Sequence, residues 1–67
     1  METLGQRIRR IRIEKGYTQE SLADISGLTA GQISYYEQDK RLPNIDNLWV
    51  LADTFGVSMD KLYRGAE

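Results

Sequence analysis

The chain has 67 residues, with 9 basic and 10 acidic side chains and neither cysteine nor histidine. This length predicts a single domain over residues 1–67, and the missing residue types exclude disulfides, ordinary transition-metal sites and Ser-His or Cys-His catalysis. The acids are scattered and no membrane-length apolar run or signal peptide is present, so we expect a cytoplasmic protein that is no enzyme and uses no metal, cofactor or membrane.

The basic residues are concentrated near the start of the chain. Residues 7–15, RIRRIRIEK, hold five cations against the single acid Glu14. The near-neutral total charge argues against tight non-specific binding to nucleic acid, but such a cluster permits a local basic face. The same stretch belongs to a predicted first helix over about residues 3–15, which Gly16 would end. Its inward stripe at helical spacing consists of Leu4, Ile8 and Ile11.

Two helices are predicted in the middle of the chain. Thr18 is a good N-cap for the first of them, Leu22 and Ala23 face inward with Ile25 as a third candidate, and Gly27 ends the helix. The second begins at Thr29, where TAGQ has the form of a capping box with Gln32. Helical spacing then places Ile33 and Tyr36 on the core side and Ser34 and Tyr35 off it.

The last third of the chain predicts a loop and two more helices. Pro43 bars a helix in QDKRLP, and Asn44 can cap a fourth helix that Gly56 ends. Ser58 can cap a fifth helix carrying Met59, Leu62 and Tyr63. No segment alternates apolar and polar residues convincingly, so the predicted fold class is an all-α, compact five-helix bundle. The inward positions of the fourth helix are Leu48, Leu51, Ala52 and Phe55.

The second and third helices are joined by a very short glycine turn, which forces them to cross at a steep angle. This is the helix-turn-helix arrangement, in which the second helix lies in the DNA major groove. Over residues 4–63 the chain resembles the Cro/C1-type helix-turn-helix family of phage repressors and bacterial regulators. The resemblance is carried by Arg12 before KG, TQ at Thr18-Gln19, LA at Leu22-Ala23, the glycine turn, ISYYE, KRLP and LADTFGVSMDKLY.

The resemblance implies that the first turn of helix three, and one residue a turn further on, read DNA bases. Ala30 and Gly31 offer little there, so hydrogen-bond readout would fall to other side chains, with DNA shape supplying part of the specificity. Gln32 could bond an adenine edge, but the capping box competes for the same side chain. The implied base-reading residues are Thr29, Ala30, Gly31, Gln32, Ser34 and Tyr35.

The resemblance also implies that some residues contact the DNA backbone and that others stabilise the fold. Gln19 would stand at the backbone and could brace a base-reading side chain, and free N–H groups at the start of helix two would face phosphate. Arg12 and Glu37 would form a structural, largely buried ion pair. The implied backbone contacts are Thr18, Gln19, Gln38, Lys40, Arg41 and Asn44.

Family members usually dimerise through the last helix and the loop before it, which here implies Val57, Met59 and Tyr63. The leading hypothesis is a bacterial or phage-encoded transcriptional regulator, a repressor, that binds palindromic double-stranded DNA as a homodimer. The alternative is a protein-interaction module such as an antitoxin or anti-regulator. This alternative is favoured by the near-neutral charge and by Trp49 and Ile13, which do not fit the core stripes. An exposed tryptophan can anchor a protein partner.

Overall fold

A computed structural model describes residues 1–65 of the chain. Within this range the chain forms five helices and no strand, which confirms the predicted all-α fold. The predicted domain span of 1–67 includes residues 66 and 67, which lie outside the described residues. The helices are α1 (Leu4–Glu14), α2 (Gln19–Ser26), α3 (Ala30–Glu37), α4 (Ile45–Phe55) and α5 (Met59–Arg64).

Each helix begins at a polar side chain that accepts a hydrogen bond from its own first turn. The predicted capping box at the start of α3 is formed. Gln32 N donates to Thr29 Oγ1 and Thr29 N donates to Gln32 Oε1, both at 3.0 Å. Such a cap typically stabilises a helix by about 1 kcal/mol, since it satisfies N–H groups that have no partner within the helix.

The turn between α2 and α3 depends on Gly27. This residue has φ of +79°, a left-handed conformation that side chains disfavour, and its N–H donates to Ala23 O at 2.9 Å. Only residues 28 and 29 separate it from α3. The tight connection holds α2 and α3 together as the helix pair that the sequence predicts.

One continuous core lies between the helices, with α1 packed on α3 and α5, α2 on α3 and α4, and α4 on α5. Two sequence expectations need correction. Leu4 is only half-buried, because it lies in the first turn of α1 at the edge of the bundle. Ile25 is 59% exposed, because its side of the short α2 is not covered by another described helix. The core residues are Ile8, Ile11, Leu22, Ala23, Ile33, Tyr36, Leu48, Leu51, Ala52, Phe55 and Leu62.

The start of α1 is fastened to the end of α3 through Asp39. Asp39 has a φ of +58°, and its carboxylate accepts hydrogen bonds from Gly5 N at 3.0 Å and from Thr3 Oγ1 at 2.6 Å. A Cβ added to Gly5 would clash with Tyr36 O and would lie 2.6 Å from Asp39 Oδ1. The absence of a side chain at Gly5 therefore lets α1 approach the loop that follows α3.

Candidate nucleic-acid interface

Helix α3 presents an exposed face that is formed by part of the predicted base-reading set. Thr29, Gly31, Gln32 and Tyr35 are exposed, whereas Ala30 and Ser34 are half-buried. Ala30 also packs against the core, so little of its methyl group faces outward. The exposed polar atoms of this face are therefore contributed mainly by the capping residues and by Tyr35.

The two adjacent tyrosines have separate environments. Tyr36 is 5% exposed, and its hydroxyl accepts a hydrogen bond from Asn47 Nδ2 at 2.8 Å. Tyr35 is 49% exposed and lies on the outer side of the helix. The structure thus assigns Tyr36 to the core and leaves the Tyr35 ring and hydroxyl accessible to a ligand.

Two of the candidate contact side chains are already engaged within the helix. The Oε1 atom of Gln32 belongs to the capping box, which leaves its Nε2 donor as the part of the side chain that can turn toward DNA. Gln38 Nε2 donates to Ser34 Oγ at 2.8 Å and to Ser34 O at 3.2 Å. Ser34 is therefore a weaker candidate for base contact than Tyr35.

A shallow concavity joins α3 to the loop that follows it. It has a volume of about 320 Å³ and includes Arg41 among its lining residues. The sequence prediction separated Arg41, as a backbone contact, from the base-reading set, but the fold places both on one surface. The lining residues are Thr29, Gly31, Gln32, Tyr35, Tyr36 and Arg41.

Behind this surface, one carboxylate connects three helices. Arg12 Nε and Nη2 donate to Glu37 Oε2 and Oε1 at 2.7 and 3.1 Å. Gln19 Nε2 donates to Glu37 Oε1 at 3.2 Å, and Arg12 Nη1 donates to Tyr17 O at 2.9 Å. One amide hydrogen of Gln19 is bonded inside the protein. The other Nε2 hydrogen and the Oε1 atom remain available for a contact with DNA.

The other predicted backbone contacts fall into two groups. Thr18 and Asn44 are helix caps whose oxygens accept bonds from Ser21 N at 3.0 Å and Asn47 N at 2.8 Å. Lys40 and Arg41 are exposed on the loop after α3. The two cations are therefore the best placed of these residues to neutralise phosphate.

The basic cluster of α1 is less available than its sequence suggests. Arg7 is buried, and Arg10 donates to Glu2 Oε2 at 2.7 Å and to Glu14 Oε2 at 3.1 Å. The hydrogen bond from Arg10 is the main cause that lowers the pKa of Glu2, while burial opposes this shift and charge attraction adds to it. The same ion pairs raise the pKa of Arg10. Arg9 remains exposed and is outside these ion pairs.

The predicted dimer residues border two neighbouring concavities at α4 and α5. Met59 lies at both, with volumes of about 440 and 320 Å³. Val57 and Met59 are half-buried against the core, whereas Tyr63 is 58% exposed. Apolar side chains of α4 extend this surface, since Trp49 and Ile45 are 59% and 68% exposed. The exposure of Trp49 was indicated by the sequence, but that of Ile45 was not, because Ile45 is the first residue of α4.

The described residues were also compared with the requirements of a membrane-spanning helix and of a metal site. None of the helices within residues 1–65 is long and apolar enough to cross a membrane. Over the same range, no group of three or more acidic side chains is arranged to hold a metal ion.

The chain is similar in sequence and fold to known helix-turn-helix proteins. Residues 8–62 match the family model described as helix-turn-helix. The chain is 38% identical over 61 residues to the SPbeta prophage-derived HTH-type transcriptional regulator YonR of Bacillus subtilis, covering 91% of this chain and 56% of that protein. It is also 38% identical over 63 residues to the HTH-type transcriptional regulator PuuR of Escherichia coli, covering 94% of this chain and 34% of that protein. The chain thus spans about half or less of the length of these relatives.

A solved structure of similar fold is the P22 c2 repressor in complex with the synthetic operator 9T. It has a TM-score of 0.91 and 30% identity, covering 98% of this chain and 100% of that chain. The regulator SinR of Bacillus subtilis in complex with DNA has a TM-score of 0.85 and 33% identity, covering 90% and 97%. On the family match, the sequence identities and the shared fold, this chain belongs to the Cro/C1-type helix-turn-helix family of transcriptional regulators.

Proposed function

We propose that this chain is a sequence-specific DNA-binding transcriptional regulator, a repressor, that binds a palindromic operator as a homodimer. Helix α3 enters the major groove in this proposal, with Gln32 and Tyr35 facing the bases. The observation that carries it is the exposed face of α3, which shares a concavity with Arg41, together with the exposed Lys40 that precedes Arg41 in the chain. This is an arrangement suited to a groove flanked by phosphates.

Direct base readout is assigned to few side chains. Tyr35 is exposed and can offer its hydroxyl or its ring, and Gln32 can offer Nε2. Thr29, Ala30 and Ser34 contribute smaller contacts in this proposal, because their polar or methyl groups are capped, half-buried or already bonded. Sequence-dependent DNA shape then supplies a larger share of specificity than it would for a helix rich in long polar side chains.

Contacts to the DNA backbone set the register of α3 in the groove. Lys40 and Arg41 supply charge, and the α2 start at Thr18 and Gln19 supplies N–H and amide donors. Gln38 and Asn44 complete the proposed set from either end of the loop. Because Glu37 ties Arg12 to Gln19, the α2 start and α3 approach DNA as one rigid unit.

The homodimer is proposed to form through Val57, Met59 and Tyr63. These residues lie beside exposed Trp49 and Ile45, so an isologous contact would cover apolar surface on both copies. Two-fold pairing would place the two α3 helices about one DNA turn apart, ~34 Å, which requires a palindromic site.

A second function is favoured by the same apolar surface. Leu42, Ile45, Trp49 and Tyr63 are all more than half exposed, a distribution that suits a protein partner of the antitoxin or anti-regulator kind. Such a partner would bind with little dependence on salt, whereas operator binding would weaken steeply as salt rises.

The experiment is selection of bound duplexes from a random DNA pool at two salt concentrations. We expect a palindrome whose half-sites are one helical turn apart, and weaker retention at the higher salt concentration. Retention that depends on salt but not on sequence, or no retention, would contradict the operator-binding proposal and favour the protein-partner function.

A further inference from the structure

Arg7 is a buried cation whose role was not apparent from the sequence. It is 8% exposed, and its Nη1 donates to Leu62 O at 3.0 Å and to Tyr63 O at 2.9 Å. Both carbonyls belong to the last turn of α5, where backbone oxygens have no partner within the helix. A positive charge at this end also complements the helix dipole.

The guanidinium of Arg7 is enclosed by both ends of the described chain. Its Nη2 donates to Glu2 O at 3.4 Å, and its Nε lies 3.3 Å from Glu2 Oε1 without hydrogen-bond geometry. On the other side, a Cβ added to Gly65 would lie 2.9 Å from Arg7 Nε. The side chain therefore fills the space between Glu2 and the C-terminal end of α5.

Among the described side chains, α5 has few other contacts with the core. It is six residues long, a length at which a helix depends on tertiary contacts for its stability. Leu62 is its fully buried side chain, and Met59 packs against the core as a half-buried neighbour. The helix packs mainly on α1 and α4. Among the described contacts, Leu62 inside and Arg7 at the end of the helix orient the outer side of α5, including Tyr63.

We propose that Arg7 is the positioning residue of the dimer surface, holding α5 at the angle at which Met59 and Tyr63 meet a second copy. This inference rests on the homodimer of the proposed function. Arg7 acts through α5 and contacts no DNA. The reading pair α2–α3 is held separately, through Arg12, Gln19 and Glu37.

The test compares Arg7→Gln with Arg9→Gln in the full chain. Both variants remove one positive charge from α1, so the change in net charge is matched. Arg9 differs from Arg7 in that it is exposed and outside the described ion pairs. Sedimentation equilibrium measures the monomer–dimer constant. Titrations then measure affinity for the duplex selected by the wild-type chain and for a duplex that carries one half-site.

Relative to Arg9→Gln, we expect Arg7→Gln to weaken dimerisation and full-operator binding by about tenfold or more, because linked half-site binding depends on the dimer. Affinity for the single half-site should be equal in the two variants. Amide NMR shifts should change at α5 and its neighbours but not in α2–α3. Arg7→Lys, which keeps a charged donor, should recover part of the dimerisation.

Three outcomes would overturn this inference. Equal dimerisation of the two variants would show that Arg7 does not position α5. Loss of half-site binding together with shift changes throughout the chain would show that Arg7 supports the whole fold instead. If the wild-type chain is monomeric on its selected duplex, or selects no duplex, both the proposed function and this inference are contradicted. Measurements on the wild-type chain alone identify that case.

Discussion

Arg12 of α1 and Glu37 of α3 are joined by two hydrogen bonds of 2.7 and 3.1 Å, and their side chains are only 11% and 4% exposed. The paired geometry matches the fork of the guanidinium to both carboxylate oxygens. Gln19 of α2 binds the same carboxylate. One buried carboxylate therefore joins α1 to α2 and α3, the two helices that contribute to the proposed DNA surface.

Glu37→Gln should lower the free energy of unfolding by ~3–5 kcal/mol, because it leaves the Arg12 charge buried without its partner. Urea denaturation measures this change. Glu14→Gln is the matched control, since Glu14 pairs with Arg10 at the surface, with side chains 57% and 46% exposed. That control should cost less than about 1 kcal/mol. Equal stability of the two variants would contradict a structural role for the buried pair.

Tyr36→Phe and Tyr35→Phe should affect different properties. Tyr36→Phe removes the acceptor of Asn47 Nδ2 and should lower stability by about 1 kcal/mol without changing base preference. Tyr35→Phe removes an exposed hydroxyl and should leave stability unchanged while altering affinity for the selected duplex. Thermal unfolding and duplex titration on both variants check this. A stability loss in Tyr35→Phe alone would reverse the assignment.

Gly5→Ala and Gly31→Ala should change stability in opposite directions. The added methyl group at Gly5 meets Tyr36 O and Asp39, so overpacking should cost about 1–3 kcal/mol or more. At Gly31 the nearest atom to an added Cβ is Thr29 Oγ1 at 3.9 Å, so alanine should stabilise the helix by up to about 1 kcal/mol. Each serves as the control for the other in thermal unfolding. Stabilisation by both would mean that α1 and α3 can move apart without cost.

Lys40→Gln and Arg41→Gln should each reduce the slope of log affinity against log salt by about 1, since each removes one phosphate contact. Affinity should fall alike for the selected duplex and for random duplexes. Arg9→Gln, a cation outside the proposed DNA surface, is the control and should leave the slope unchanged. If Arg41→Gln changed base preference, its place beside Gln32 and Tyr35 would indicate base contact instead.

Acid should destabilise the chain partly through Glu2. The pKa of Glu2 is lowered in the folded chain, chiefly by the hydrogen bond from Arg10, so its carboxylate stabilises the fold above the unfolded pKa. That contribution is lost as pH falls through the lowered, folded pKa. Thermal unfolding between neutral pH and roughly pH 3 should show a larger acid effect in the wild-type chain than in Glu2→Gln. The difference should be small, because the group is exposed to solvent screening.

Much of the architecture could be predicted because the signals are local. Helix starts follow from cap residues within three positions of their partners, as at Thr29 and Gln32, and the α2–α3 turn follows from Gly27. The inward stripes of α1 and α4 follow from helical spacing, with Leu4 the partial exception at an edge. The separation of Tyr35 from Tyr36 follows from the same spacing.

Other features were decided by contacts between residues distant in sequence. From the sequence, Arg7 looks like one more surface cation. In the structure it binds the end of α5 at Leu62, which is 55 positions away in the chain. From the sequence, Asp39 looks like an ordinary acidic residue of a loop. In the structure its carboxylate accepts a hydrogen bond from Gly5 N at the start of α1, 34 positions away in the chain. The exposure of Ile25 depends on which side of α2 is left uncovered.

The helices, their ends and the central helix pair could be predicted, because caps, glycines and helical periodicity act between neighbours along the chain. The family resemblance implied the buried Arg12–Glu37 pair, but the burial of Arg7 and the surfaces that adjoin follow only from how the helices pack. Burial removes water from Arg7 and Glu37 and makes their partners obligatory, and that desolvation arises when separate helices pack together.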